Sequence, residues 1–167
     1  WLFDGGRETR LTLDAGRELY PVWSPDGLRL AFSKDLNGRL ALYQKSSMGG
    51  GAEELLLAAS GNPLAPLAWS PDGRFLMYSN RNPVTGGDLW VLPLDGKQQP
   101  SAFVNSKFEE RQAQFSPDGR WVAYSSDESG RQEIYLRPFP ASSGQFAVST
   151  TGGMAARWRQ DGKELYY

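Results

Sequence analysis

The pentapeptide Trp23-Ser24-Pro25-Asp26-Gly27 returns as Trp69-Ser70-Pro71-Asp72-Gly73, as Phe115-Ser116-Pro117-Asp118-Gly119 and, in altered form, as Trp158-Arg159-Gln160-Asp161-Gly162. Measured at the aspartate, the copies stand 46, 46 and 43 residues apart. That is the period of a four-stranded propeller blade; leucine-rich and ankyrin repeats are shorter. Proline presets φ, aspartate accepts hydrogen bonds from nearby backbone and glycine takes positive φ freely, so Pro-Asp-Gly reads as a hairpin turn. Short, aromatic-rich runs without helical period follow each copy: Leu30 to Ser33, Phe75 to Ser79, Trp121 to Ser125 and Glu164 to Tyr167. A third strand reads at Leu40 to Tyr43, Leu89 to Leu92 and Ile134 to Leu136, and a fourth at Glu54 to Ala58, Ser101 to Val104 and Gln145 to Ser149. Taken alone, Glu53 to Ala59 passes for a helix. Its counterparts Ala102-Phe103-Val104 and Phe146-Ala147-Val148 are strand-like, and repeat register overrides the local propensity.

The two ends complement one another. Phe3-Asp4-Gly5-Gly6 resembles Leu94-Asp95-Gly96, and with Leu11-Thr12-Leu13 it supplies the third and fourth strands of a blade; residues 154–167 supply a first and second. The chain thus reads as one all-β domain over 1–167, a β-propeller of four-stranded antiparallel blades. It has a half blade at 1–14, blades at 19–59, 65–105 and 111–150, and a half blade at 154–167, with the fourth blade shared between the ends. Three assemblies fit: a closed four-bladed ring, two chains in an eight-bladed ring, or an arc of a longer propeller. Unpaired strand edges on an open arc would invite self-association through the terminal half blades.

The chain's 167 residues, 40% apolar and 13% aromatic, suffice for one packed domain. Eighteen Lys and Arg against 19 Asp and Glu leave a formal charge of -1, which provides no global field for nucleic acid or an anionic membrane. With neither Cys nor His, disulfides, thiol nucleophiles, Cys/His zinc sites and histidine-dependent triads are excluded. The longest apolar run, Leu55 to Ala59, is far too short to span a bilayer, so no membrane insertion is expected. No initiator Met and no signal peptide pattern is present, and the chain reads as a piece of something longer or as a processed chain. The absence of Cys fits an oxidising or a reducing compartment equally well.

The string from Trp23 to Ser33, repeated with Phe for Trp from Phe115 to Ser125, resembles the TolB-like propeller repeat of bacterial proteins. Related repeats occur in the propellers of prolyl oligopeptidase-type peptidases. Residues 115–167, with Arg137-Pro138-Phe139-Pro140 and Gly152-Gly153, look most like the propeller extensions of bacterial Ser/Thr protein kinases. The resemblance covers the whole chain and implies a fold, whereas function lies in sites carried by that fold. Arg159 and Gln160 depart from the pattern where Ser and Pro are expected.

No G-x-S-x-G elbow, phosphate-binding loop or kinase element occurs, so no catalytic residue, cofactor or metal is assigned. Asp26, Asp72, Asp118 and Asp161, with Gly27, Gly73, Gly119 and Gly162, read as turn residues rather than calcium ligands, because they stand a blade apart. Trp23, Trp69, Phe115 and Trp158 read as residues packed between blades, and Tyr43, Trp90 and Tyr135 as third-strand packing. Binding residues are sought on the face where fourth-to-first and second-to-third connections emerge. Arg17, Glu18, Glu110, Arg111, Asp127 and Arg131 are the candidates for a protein or small-ligand partner, with Glu18 and Glu110 both five residues before the motif aromatic. The leading expectation is a non-enzymatic binding scaffold. Its alternative is a regulatory or substrate-gating propeller of a larger kinase or peptidase, and a hydrolase using Asp/Glu pairs at the channel mouth is the third.

Overall fold

The computed structural model describes residues 1–12, 16–96, 99–140 and 144–167. Among them every regular element is a strand. A hairpin of β1 (Leu2–Asp4) and β2 (Arg7–Thr9) comes first. Blade one holds β3 (Glu18–Trp23), β4 (Arg29–Asp35), β5 (Leu40–Ser46) and β6 (Glu54–Leu57). Blade two holds β7 (Leu64–Trp69), β8 (Phe75–Asn82), β9 (Gly86–Pro93) and β10 (Ser101–Val104). Blade three holds β11 (Glu110–Phe115), β12 (Trp121–Ser126), β13 (Glu133–Pro138) and β14 (Phe146–Ala147). A last hairpin joins β15 (Arg157–Trp158) to β16 (Leu165–Tyr166). Each blade is an antiparallel meander in chain order, and β3, β7 and β11 lie side by side as the inner strands. The Glu54–Leu57 segment is a strand, paired with β5, as repeat register requires.

The fourth strand of the first hairpin is Arg7–Thr9, not Leu11-Thr12-Leu13. Gly5 and Gly6, at φ 52° and 101°, reverse the chain in two residues, so β2 starts at once. Leu11 is buried near Leu30 and Phe32 of blade one, and Leu13 lies outside the described residues. Within one chain no ladder joins β1–β2 to β15–β16 among the described residues; each is a separate two-stranded sheet.

The repeated turns share one network. In blade three the Ser116 hydroxyl donates to Asp118 at 2.6 Å and accepts from the Trp121 N–H at 2.9 Å, while Asp118 accepts from the Arg120 N–H at 3.1 Å. Ser24 with Asp26 and Ser70 with Asp72 repeat it. In the altered copy Arg159 replaces the serine and grips Asp161 through two hydrogen bonds of 2.8 and 2.6 Å, so the turn survives the change of residue. The hydrogen bonds from Ser116 and Arg120 hold the Asp118 carboxyl down at about 2. A depressed pKa stabilises the fold above the ordinary value of 3.8 and that stabilisation is lost as pH falls towards 2. Ser116→Ala strips the partly buried Trp121 N–H and Asp118 of a partner, with an expected loss of about 1–3 kcal/mol in urea unfolding. Unchanged stability would show that water replaces the hydroxyl.

The core lies between blades. Blades one and two enclose Ala31, Leu42, Leu64, Trp69, Leu76 and Tyr78; blades two and three enclose Met77, Leu89, Phe103, Phe115, Val122 and Tyr124. Ala123, Ile134 and Ala156 close the junction of blade three with the last hairpin, where Trp158 is partly buried. Trp69 is 6% exposed, donates its indole N–H to the Val22 carbonyl at 3.2 Å and lies under the Arg29 guanidinium at 4.9 Å. Phe115 meets Phe139 edge-on at 4.9 Å. Trp23 breaks the expected pattern at 47% exposure: among the described residues the hairpin ahead of blade one supplies outer strands only. On the third strands Tyr135 is buried and Tyr43 and Trp90 are half-buried.

Candidate partner-binding face

The loops between blades two and three frame a polar cavity of about 630 Å³, bounded by Arg81, Asn82, Thr85, Lys107, Glu109 and Asp127. Glycines at the start of β9 allow this cleft. A side chain at Gly87 would stand 2.8 Å from the Glu110 carbonyl oxygen, so only glycine lets the chain entering β11 approach so closely.

Three of the candidates gather here. Asp127 accepts from the Glu109 N–H at 2.9 Å, and Arg111 is exposed and pairs with Glu109 at 2.8 Å. Glu110 departs from the expectation of a solvated rim residue. It is 1% exposed, takes a hydrogen bond from Ser106 at 2.5 Å on one oxygen, and has no hydrogen-bond partner on the other. Burial, with Asp88, Asp127 and Glu128 nearby, pushes its carboxyl up to about 7. Asp88, buried at 3% exposure, is also pushed up by burial. Glu110 therefore lies beneath the rim, closed off from solvent.

Arg131 lies one junction further on, exposed, paired with Glu133 at 2.8 Å and donating to the Thr150 carbonyl. Arg17 and Glu18 sit apart on blade one. The Arg17 carbonyl accepts from the Asp35 N–H at 3.0 Å, and half-buried Glu18 accepts from Thr12 at 3.2 Å.

Two features escape a reading of loops. Glu133, 2% exposed, accepts from the Ser149 hydroxyl, the Gly152 N–H at 2.9 Å and Arg131, and ties blade three to the segment entering the last hairpin. The Ser149 hydrogen bond foremost holds its pKa below the ordinary value. Its signal in the sequence is an acid directly ahead of a buried third strand, as in Glu133-Ile134-Tyr135 and Asp88-Leu89-Trp90. The second feature is the inner wall, where Tyr20, Gln112 and Ala155 take φ of 57°, 55° and 55°, each three residues before the motif aromatic. These bulged strands border a cavity of about 190 Å³ that includes Tyr20, Pro66, Gln112 and Arg157. Pro66 at the same place in β7 signals the bulge, since proline cannot serve a regular inner ladder.

No family model matches the chain. Among curated proteins, the Tol-Pal system protein TolB of Francisella tularensis subsp. mediasiatica is 31% identical over 116 residues, 65% of this chain and 26% of that protein. The chain spans about a quarter of that relative. A TolB-like structure from Agrobacterium tumefaciens superposes with a TM-score of 0.75 at 24% identity, over 86% of this chain and 50% of that one. A puromycin-hydrolyzing peptidase of Mycobacterium tuberculosis superposes with a TM-score of 0.70 at 22% identity, over 88% of this chain and 27% of that one. Repeat, blade topology and relatives agree: the chain has a β-propeller fold and is similar to TolB proteins.

Proposed function

We propose that the chain is a non-enzymatic propeller module that binds a polar protein partner at the loops of blades two and three. The observation that carries this reading is the cleft itself. Arg81, Lys107, Glu109 and Asp127 stand around one polar cavity on loops anchored to rigid sheets, and Arg111 pairs with Glu109. A purely scaffolding role is supported by the state of the perturbed carboxylates: Glu110 and Asp88 are shut off from solvent, so neither can meet a substrate. The test is charge reversal at two exposed positions, Arg81→Glu with Lys107→Glu. A partner identified by cross-linking to the parent chain is expected to lose at least tenfold in affinity while the melting temperature holds. Unchanged affinity would refute this choice of face.

A second reading, a gating propeller of a larger peptidase, draws on the superposition with the mycobacterial enzyme. It predicts that the charge reversal alters peptide turnover by the intact enzyme and leaves protein capture unaffected.

A further inference from the structure

In each complete blade the residue two beyond the motif glycine donates its N–H to the motif serine: Arg29 to Ser24, Phe75 to Ser70 and Trp121 to Ser116, each at 2.9 Å. Phe75 uses its side chain for packing, edge-on to Phe139 at 5.2 Å. Blade one has an arginine where blades two and three have these aromatics. Its guanidinium lies over the Trp69 ring at 4.9 Å and so takes an aromatic's part in the junction of blades one and two. A phenyl group there would bring no hydrogen-bond donor, whereas a guanidinium brings five. One of them reaches an acceptor, the Gln44 side chain, at a long 3.4 Å. Among the described residues no carboxylate forms an ion pair with Arg29. Glu164, which holds the same place in the last hairpin, is paired with Arg159 at 2.8 Å.

The same arginine borders a cavity of about 220 Å³ beside the motif turn of blade two and the turn from β9 to β10. Because the blade is a meander, these turns lie at the end of the sheet away from the β8–β9 loop, which lines the polar cleft. Exposed Arg74 borders the cavity too, with its guanidinium over the Phe75 ring at 5.4 Å and only a loose approach of 3.9 Å to Asp72. Phe75, Pro93 and Leu94 give it apolar walls, and Asp95 stands at its edge in an ion pair with neither arginine.

We infer that this cavity binds a compact anion, a carboxylate or phosphate group on a small apolar body, with Arg29 and Arg74 holding the charge and Phe75, Pro93 and Leu94 the body. Arginine presents its N–H groups in a planar fork that matches the oxygens of either group. Stacked on Trp69, the Arg29 fork is already oriented, so little side-chain freedom is lost when an anion arrives. Size limits the ligand: 220 Å³ lies below the roughly 300–1,000 Å³ of sites for drug-sized molecules, which leaves room for a single ring or a short chain. The site stands on blades one and two, apart from the cleft of blades two and three, and holds or fails independently of the protein-binding reading.

Titration of the isotope-labelled 167-residue chain with benzoate, phenyl phosphate and neutral benzamide, followed by amide NMR, tests this. Saturable shifts are expected at the Gly73, Arg74 and Leu94 amides and at the Trp69 indole N–H with at least one of the two anions and not with benzamide. Which anion binds more tightly separates a carboxylate site from a phosphate site. Arg29→Phe installs the aromatic that blade two carries at this place, and is expected to hold the melting temperature while weakening the anion about tenfold or more. Arg74→Gln, at an exposed position, is expected to weaken it in the same direction, and decides the matter if Arg29→Phe fails to fold. No saturable shift with either anion, an equal response to benzamide, or parent-like anion binding in the folded variants would each overturn the proposal.

Discussion

Trp69→Ala is expected to cost about 3–5 kcal/mol of unfolding free energy, and Trp23→Ala about 0.5 kcal/mol or less. Both residues open the same repeated motif. The difference comes from what covers them. The Trp69 ring fills the junction of blades one and two, satisfies its indole N–H on Val22 and is stacked by Arg29, whereas Trp23 has solvent over nearly half its surface. Removing Trp69 leaves a cavity at a junction that cannot collapse without moving two sheets. Urea unfolding at the lowest protein concentration that gives a signal makes the comparison without a contribution from association. Equal costs for the two variants would mean that the motif aromatics act within their own blades and not across junctions.

Glu110→Gln is expected to stabilise the protein in alkaline buffer and to do nothing in acid. The folded carboxyl titrates at about 7, raised from 4.5, so the native state holds the proton more tightly than the unfolded chain. Stability from this group is complete below about 4.5, declines as pH rises and is gone above about 7, with a span of about 3 kcal/mol at most. Glutamine keeps the acceptor for Ser106 and places an amide where the unpartnered oxygen sits, with Asp88, Asp127 and Glu128 nearby. Melting curves at pH 8.5 and 4.5 test this. An equal change at both pH values would show that packing, not ionisation, governs the site.

The blades were legible because a turn is local chemistry. Ser, Pro, Asp and Gly at consecutive positions specify their own hydrogen bonds, and the spacing then specifies everything between two turns. Even Glu54–Leu57, helical in composition, follows from its register. The exposure of Trp23 was not legible, since it depends on what stands ahead of blade one and not on the residue. Nor was the burial of Glu110, which Gly87 makes feasible by letting two blades approach. Loop charges could be listed from the sequence, but their grouping could not. Glu110, Arg111 and Asp127 meet at one junction, while Arg17 and Glu18 lie a blade away. The positive φ at Tyr20 and Gln112 left no mark in composition, and only Pro66 betrayed the bulge they share.

A methyl group on Gly119 would stand 3.6 Å from the Pro71 ring, and one on Gly162 would stand 3.6 Å from Pro117. The last two turns thus climb like treads, each of these glycines seated over the proline of the tread before it. One 46-residue module carries a proline to be covered, a glycine to cover with, an aromatic to insert and a carbonyl to receive it. Copying a whole module in tandem therefore duplicates both sides of the junction together. A gene encoding such a protein can lengthen by recombination between its own repeats without inventing a single new contact.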